Sequence, residues 1–147
     1  MPAQSTLIPP QQLIDAAKAT VLAYNEKNWD AIRSGLAADF TYDEVGTRRR
    51  VQGVEETIAL WQGWAKAFSD SRATIHSALA SGNTVVIELT WQGTHNGPLE
   101  TPAGPLAATG KRIEIRACQV TELANGKLKL QRNYFDMATL LQQVGAG

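Results

Sequence analysis

The chain has 147 residues, 44% of them apolar, with four Trp, three Tyr and three Phe, which is material for one hydrophobic core and argues for a single domain. Its 14 basic and 14 acidic residues cancel, so no net field favours nucleic acid, an anionic membrane or a polyanionic substrate. Cys118 has no partner for an intramolecular disulfide, the start lacks a basic and apolar leader, and no segment approaches a membrane span, so a soluble cytoplasmic protein is expected.

In chain order, Pro9-Pro10 introduces a helix over residues 11–26, whose Leu13, Ala17, Val21 and Tyr24 recur at three- and four-residue steps and share one face. Asn28 is placed to cap a second, shorter helix through Trp29, Ile32 and Leu36, with Ala37-Ala38-Asp39 as its end. Residues 40–45 alternate and predict a strand. The run Arg48-Arg49-Arg50 predicts a solvated loop or a strand edge. Gly53 then opens a third helix over 54–68, with Val54, Ile58, Trp61, Ala65 and Phe68 on one stripe.

From Arg72 the period changes to two. Residues 73–80 and 84–92 flank the turn Ser81-Gly82-Asn83, and residues 112–123 and 127–135 flank Ala124-Asn125-Gly126, giving two hairpins. Residues 96–110, rich in Gly, Pro, Thr and Ala, predict one long loop, and residues 137–144 a closing helix. Helices followed by a mainly antiparallel sheet make an α+β fold.

Alternation assigns the faces of the strands. Val85, Ile87, Leu89 and Trp91 face inward, as do Ile113, Ile115 and Ala117, which carries Gln119 and Thr121 to the same side. Phe40, Tyr42 and Glu44 share a side of the early strand, and Gln131, Asn133 and Phe135 share one of the last. Tyr42, Glu44, Gln119, Gln131 and Asn133 thus converge on an interior otherwise built from Leu, Ile and Trp. Inward polar groups at strand ends commonly serve only backbone or buried water; their convergence in an apolar cup is what argues for a small-molecule site.

Several segments in this order resemble the SnoaL-like polyketide cyclases and the related limonene epoxide hydrolases of the nuclear-transport-factor-2-like superfamily. They are Val51-Gln52-Gly53-Val54, Gly93-Thr94-His95, Thr109-Gly110-Lys111-Arg112, and the final strand from Gly126 through Asn133-Tyr134-Phe135-Asp136 into the closing helix. The resemblance implies a cone: a strongly bent sheet wrapped round an internal pocket by N-terminal helices, dimerising through its sheet. It also implies acid/base catalysis without a cofactor. The cyclases' catalytic aspartate falls at Asn133 and their histidine near Gln119, so neither ionisable group is present. The hydrolases' water-holding tyrosine, asparagine and aspartate fall at Tyr42, Glu44 and Asn133, and their Arg/Asp pair at Leu89 and Trp91.

The surviving chemistry points to Glu44 as a general base whose pKa an apolar pocket raises, with Tyr42 and Asn133 bonding a water or a developing oxyanion. Trp61, Trp64, Trp91, Leu89, Phe135, Gln119 and Gln131 are expected to bind the substrate, an apolar or aromatic molecule bearing oxygen, and His95 to reach the pocket mouth. No His/Cys/Asp cluster has metal spacing, and no nucleotide fingerprint or nucleophile elbow occurs. A ligand-binding protein without turnover and a protein-interaction module with a filled cone are the alternatives.

Overall fold

The computed structural model describes residues 8–146. Helix α1 (Pro10–Asn25) starts with Pro at its first position, where the missing N–H costs nothing, and buries Leu13, Ala17, Val21 and Tyr24. Asn28 caps α2 (Trp29–Gly35) by accepting from the Ala31 amide at 3.1 Å. The helix ends at Gly35 rather than at Ala37-Ala38-Asp39, which belong to strand β1 (Leu36–Glu44). Small residues there read as a helix tail, but strand pairing at Leu36↔Leu128 takes them into the sheet.

Strand β2 (Arg49–Gln52) pairs antiparallel with β1 and forms the sheet edge, and α3 (Val54–Ala67) follows from Gly53, whose φ of 104° suits glycine. Strands β3 (Arg72–Ser81) and β4 (Thr84–Thr94) form the first expected hairpin, and β7 (Arg112–Ala124) and β8 (Lys127–Phe135) the second. Helix α4 (Met137–Gln143) closes the described chain, capped by Asp136, whose carboxylate accepts from the Ala138 amide and the Thr139 hydroxyl at 3.0 and 2.7 Å. The Phe135-Asp136 pair is therefore a strand end followed by a helix cap.

The six-stranded sheet has the order β2-β1-β8-β7-β4-β3. All its pairs are antiparallel except β1 with β8, so β1 lies beside the last strand, far from it in sequence. That one parallel pair sets Tyr42 opposite Gln131 and Glu44 opposite Asn133. The fold is the α+β cone, with α1 and α3 packed against the concave side of the bent sheet.

The segment expected to be one long loop contains a second small sheet, β5 (Leu99–Thr101) paired with β6 (Gly104–Leu106). Pro102-Ala103 make the tight turn between them, and Gly104 enters β6 at φ 108°, a conformation that suits glycine. Leu99 is buried in a satellite core with Phe68, Ile113, Ile115 and Leu140, which ties this hairpin down onto the main sheet. Gly97 is fixed by closeness alone: a Cβ there would lie 2.0 Å from the Lys66 carbonyl oxygen. Among the described residues no helix is long and apolar enough to cross a membrane.

Candidate functional site

The bend of the sheet leaves an interior cavity of about 90 Å³. Trp61 and Trp64 of α3 and Trp91 and Phe135 of the sheet form its walls, joined by Phe68, Ile113, Ile115 and Leu140. The rings support one another edge to face: Tyr42 on Trp61 with centroids at 5.2 Å, Trp64 on Phe135 at 6.0 Å, Tyr24 on Trp91 at 5.1 Å. Such a wall holds its shape while offering a ligand mostly carbon.

The five convergent polar side chains all reach this cavity. Tyr42, Glu44, Gln119, Gln131 and Asn133 are each more than nine-tenths buried. Glu44 lies at the end of β1, where the chain turns toward β2. Gly46 makes that turn possible, because a Cβ there would stand 2.6 Å from the Phe135 carbonyl oxygen.

The surroundings of Glu44 correct the expected apolar environment. One carboxylate oxygen, Oε2, accepts from the Tyr42 hydroxyl at 2.9 Å and the Trp64 indole N–H at 2.8 Å. The other, Oε1, accepts from the Thr47 hydroxyl at 2.6 Å and from Arg49 through Nη2 at 2.6 Å and Nε at 3.0 Å. Five donors fill the acceptor positions of a carboxylate with no exposed surface of its own. Arg49 is the half-exposed member, its side chain 43% accessible and its guanidinium 5.7 Å from the Trp64 ring.

These bonds fix the directions of the rest. Tyr42 has one proton and gives it to Glu44, so its oxygen must accept from Asn133, whose Nδ2 stands 3.0 Å away. Asn133 then turns Oδ1 the other way, and that oxygen is buried with no partner among the described residues. Burial, and next to it the charge of Glu44, pushes the Tyr42 phenol well above its ordinary value, so it stays a neutral donor. Gln131 donates through Nε2 to Thr121 Oγ1 at 3.3 Å and, at the 3.5 Å limit, to Gln119 Oε1.

Two sequence-expected residues are elsewhere. Leu89 faces inward but is buried in the main core with Val85 and Ile87 and does not line the cavity. His95 does not reach the mouth either. It is wholly buried, its ring 5.3 Å from that of Phe68, and its Nδ1 accepts from the Thr109 amide and bonds the Thr109 hydroxyl. It braces the exit of the 96–110 segment, with its backbone bonded to Lys111 and Gly110.

Sequence reasoning missed Arg49, Thr47, Thr20 and Ser71. Arg49 had a signal: it shares a strand face with Val51, which packs on the core, so period two alone turns it inward.

A family model for SnoaL-like polyketide cyclases matches residues 14–144. The chain belongs to the SnoaL-like polyketide cyclase family. No curated protein sequence matches it. Among solved structures, TsrD from Streptomyces laurentii is 19% identical over 96% of this chain and 100% of its own, with a TM-score of 0.82. IdmH from Streptomyces antibioticus, described as a candidate polyketide cyclase, is 22% identical over 91% and 99%, with a TM-score of 0.77. An LEH-like epoxide hydrolase of M. tuberculosis is 23% identical over 92% and 90%, with a TM-score of 0.71. At these identities the structures establish a common fold.

Proposed function

We propose that the protein is a cofactor-independent enzyme that moves a proton on a small, apolar, oxygen-bearing substrate held in the cup. Tyr42, Glu44 and Asn133 carry the chemistry. The observation behind this reading is the orphaned Asn133 Oδ1 beside the Tyr42–Glu44 pair. An unpaired buried acceptor costs about 1–3 kcal/mol, a cost that a ligand hydroxyl, an enol or a water would remove.

Glu44 acts through Tyr42 rather than by direct contact, since its own acceptor positions are occupied. A substrate C–H or a water gives its proton to the Tyr42 oxygen while the phenol proton passes to Glu44, and the reverse transfer returns a proton to the product. Asn133 Oδ1 accepts from the water, or from a hydroxyl or enol O–H of the substrate, while the proton moves. Protonating a carboxylate paired with Arg49 sacrifices that pair, so the reaction suits a hydrogen already activated by a neighbouring carbonyl. Isomerisation and ring closure both begin with that step; the same network holding a water would serve hydrolysis.

The test is hydrogen exchange at carbon. Cyclic ketones, β-diketones and β,γ-unsaturated ketones are incubated in D2O with the protein, and loss of α-proton signals is followed by ¹H NMR. The wild type should exceed buffer on at least one compound, and Tyr42→Phe should lower that rate by about 100-fold or more. Buffer-level exchange on every compound, or full activity in Tyr42→Phe, overturns the reading. Binding without exchange would favour the second reading, a carrier of the same ligands, which the fully occupied Glu44 carboxylate supports.

A further inference from the structure

The cavity has polar groups at a second place that the proposed chemistry does not use. Thr20 and Tyr24 of α1 and Ser71, immediately before β3, line the same cavity, and all three are more than nine-tenths buried. The Tyr24 and Ser71 hydroxyl oxygens are 2.7 Å apart. Lys27 donates from Nζ to the Ser71 carbonyl, and its ammonium lies 4.4 Å from the centre of the Tyr24 ring.

These groups sit at the opposite side of the cup from Tyr42 and Asn133. Tyr42 lies on β1 and Asn133 on β8, whereas Ser71 immediately precedes β3 at the far edge of the sheet, and the cavity is also lined by the apolar Trp61, Trp91, Ile115 and Val21. Two hydroxyls bonded to each other use one proton between them and keep the other free, so the pair offers a donor and open lone pairs. Burial pushes the Tyr24 phenol up to about 12, which keeps that proton in place at any physiological pH.

A purely structural role leaves the placement unexplained. Asn25 already pins α1 to β3 by exchanging two hydrogen bonds with the Ala73 backbone, at 2.9 and 2.7 Å. We propose that the cavity is two-ended and that its ligand carries a second oxygen function, a hydroxyl or carbonyl, recognised by Tyr24 and Ser71 across an apolar segment from a hydroxyl that donates to Asn133 Oδ1. This rests on the proposed reading of the Tyr42 end and names the substrate class: a bifunctional molecule with oxygen, then carbon, then oxygen.

The experiment uses matched probes, a homologous series of ω-hydroxyketones against simple alcohols of the same chain length, titrated by tryptophan fluorescence and calorimetry. At one spacer length the wild type should bind the hydroxyketone about tenfold more tightly than its monofunctional match, the effect of one well-made hydrogen bond. Tyr24→Phe, which keeps the ring packing against Trp29 and Trp91, should abolish that preference, so that the hydroxyketone binds no more tightly than its monofunctional match. Ser71→Ala provides a second, smaller perturbation with the same expected direction. Absence of a preference at every spacer length, or its persistence in both variants, overturns the proposal. A two-ended preference without α-proton exchange keeps this inference and ends the catalytic reading; exchange without the preference does the reverse.

Discussion

Replacing Arg49 with Met keeps the length of the side chain and removes the charge that faces Glu44. The carboxylate would keep Thr47, Tyr42 and Trp64 as donors but lose two of its five hydrogen bonds and the cation bonded to it. Removing one partner of a buried pair costs about 3–5 kcal/mol, because the charge left behind is uncompensated. Glu44 has no exposed surface, but the Arg49 side chain is 43% accessible, so water weakens the pair and partly replaces the lost guanidinium. The expected loss is therefore roughly 2–3 kcal/mol. Glu44→Gln should also destabilise, since an amide N–H2 would face donors on either side. The double variant should lose less than the sum, by about 1–2 kcal/mol, because without the carboxylate the guanidinium has nothing to neutralise. Urea unfolding followed by far-UV circular dichroism gives all four free energies. A loss below about 0.5 kcal/mol for Arg49→Met, the size of a surface substitution, would refute the hub assigned to Glu44.

Three further outcomes follow from the packing. Phe40→Ala empties a fully buried site beneath Trp61 and should cost about 3–5 kcal/mol in urea unfolding. Gly97→Ala forces its new methyl against the Lys66 carbonyl, so it should lower the melting temperature and speed amide exchange in residues 96–110. Burial holds the His95 imidazole below its ordinary value of 6.5, so the unfolded chain binds the proton more readily. The stability that His95 contributes is therefore present above about pH 6.5 and is lost as pH falls through the lower folded value. His95→Gln should flatten stability between pH 7.5 and 5.5, measured by the same unfolding assay, and an unchanged slope would contradict this.

Much of the cup was legible in the sequence. Period-two alternation turned Tyr42, Glu44, Gln119, Gln131 and Asn133 inward, and the structure brings all five to one cavity. Their meeting depends on the parallel β1–β8 pair, a contact between chain segments some 90 residues apart that local pattern cannot announce. The state of Glu44 was not legible, because its partners come from a turn, an edge strand and a helix: Thr47, Arg49 and Trp64. Arginines in a run look solvated; alternation with Val51 turns Arg49 inward, but only the pairing of β2 against β1 sets it opposite Glu44. His95 was misread for a related reason. A strand end beside a Gly/Pro-rich segment suggested an open mouth, whereas β5 and β6 fold that segment back and Leu99 seals it to the satellite core.

The account depends on the unpaired Asn133 oxygen facing a cavity that receives a guest. A high-resolution crystal structure of the protein soaked with a ω-hydroxyketone tests this most directly. It should show a ligand oxygen or an ordered water about 2.6–3.2 Å from Asn133 Oδ1, with the Tyr42–Glu44 bond intact. A dry cup closed over by Trp61 and Trp64, or a ligand bound only outside it, would contradict the account.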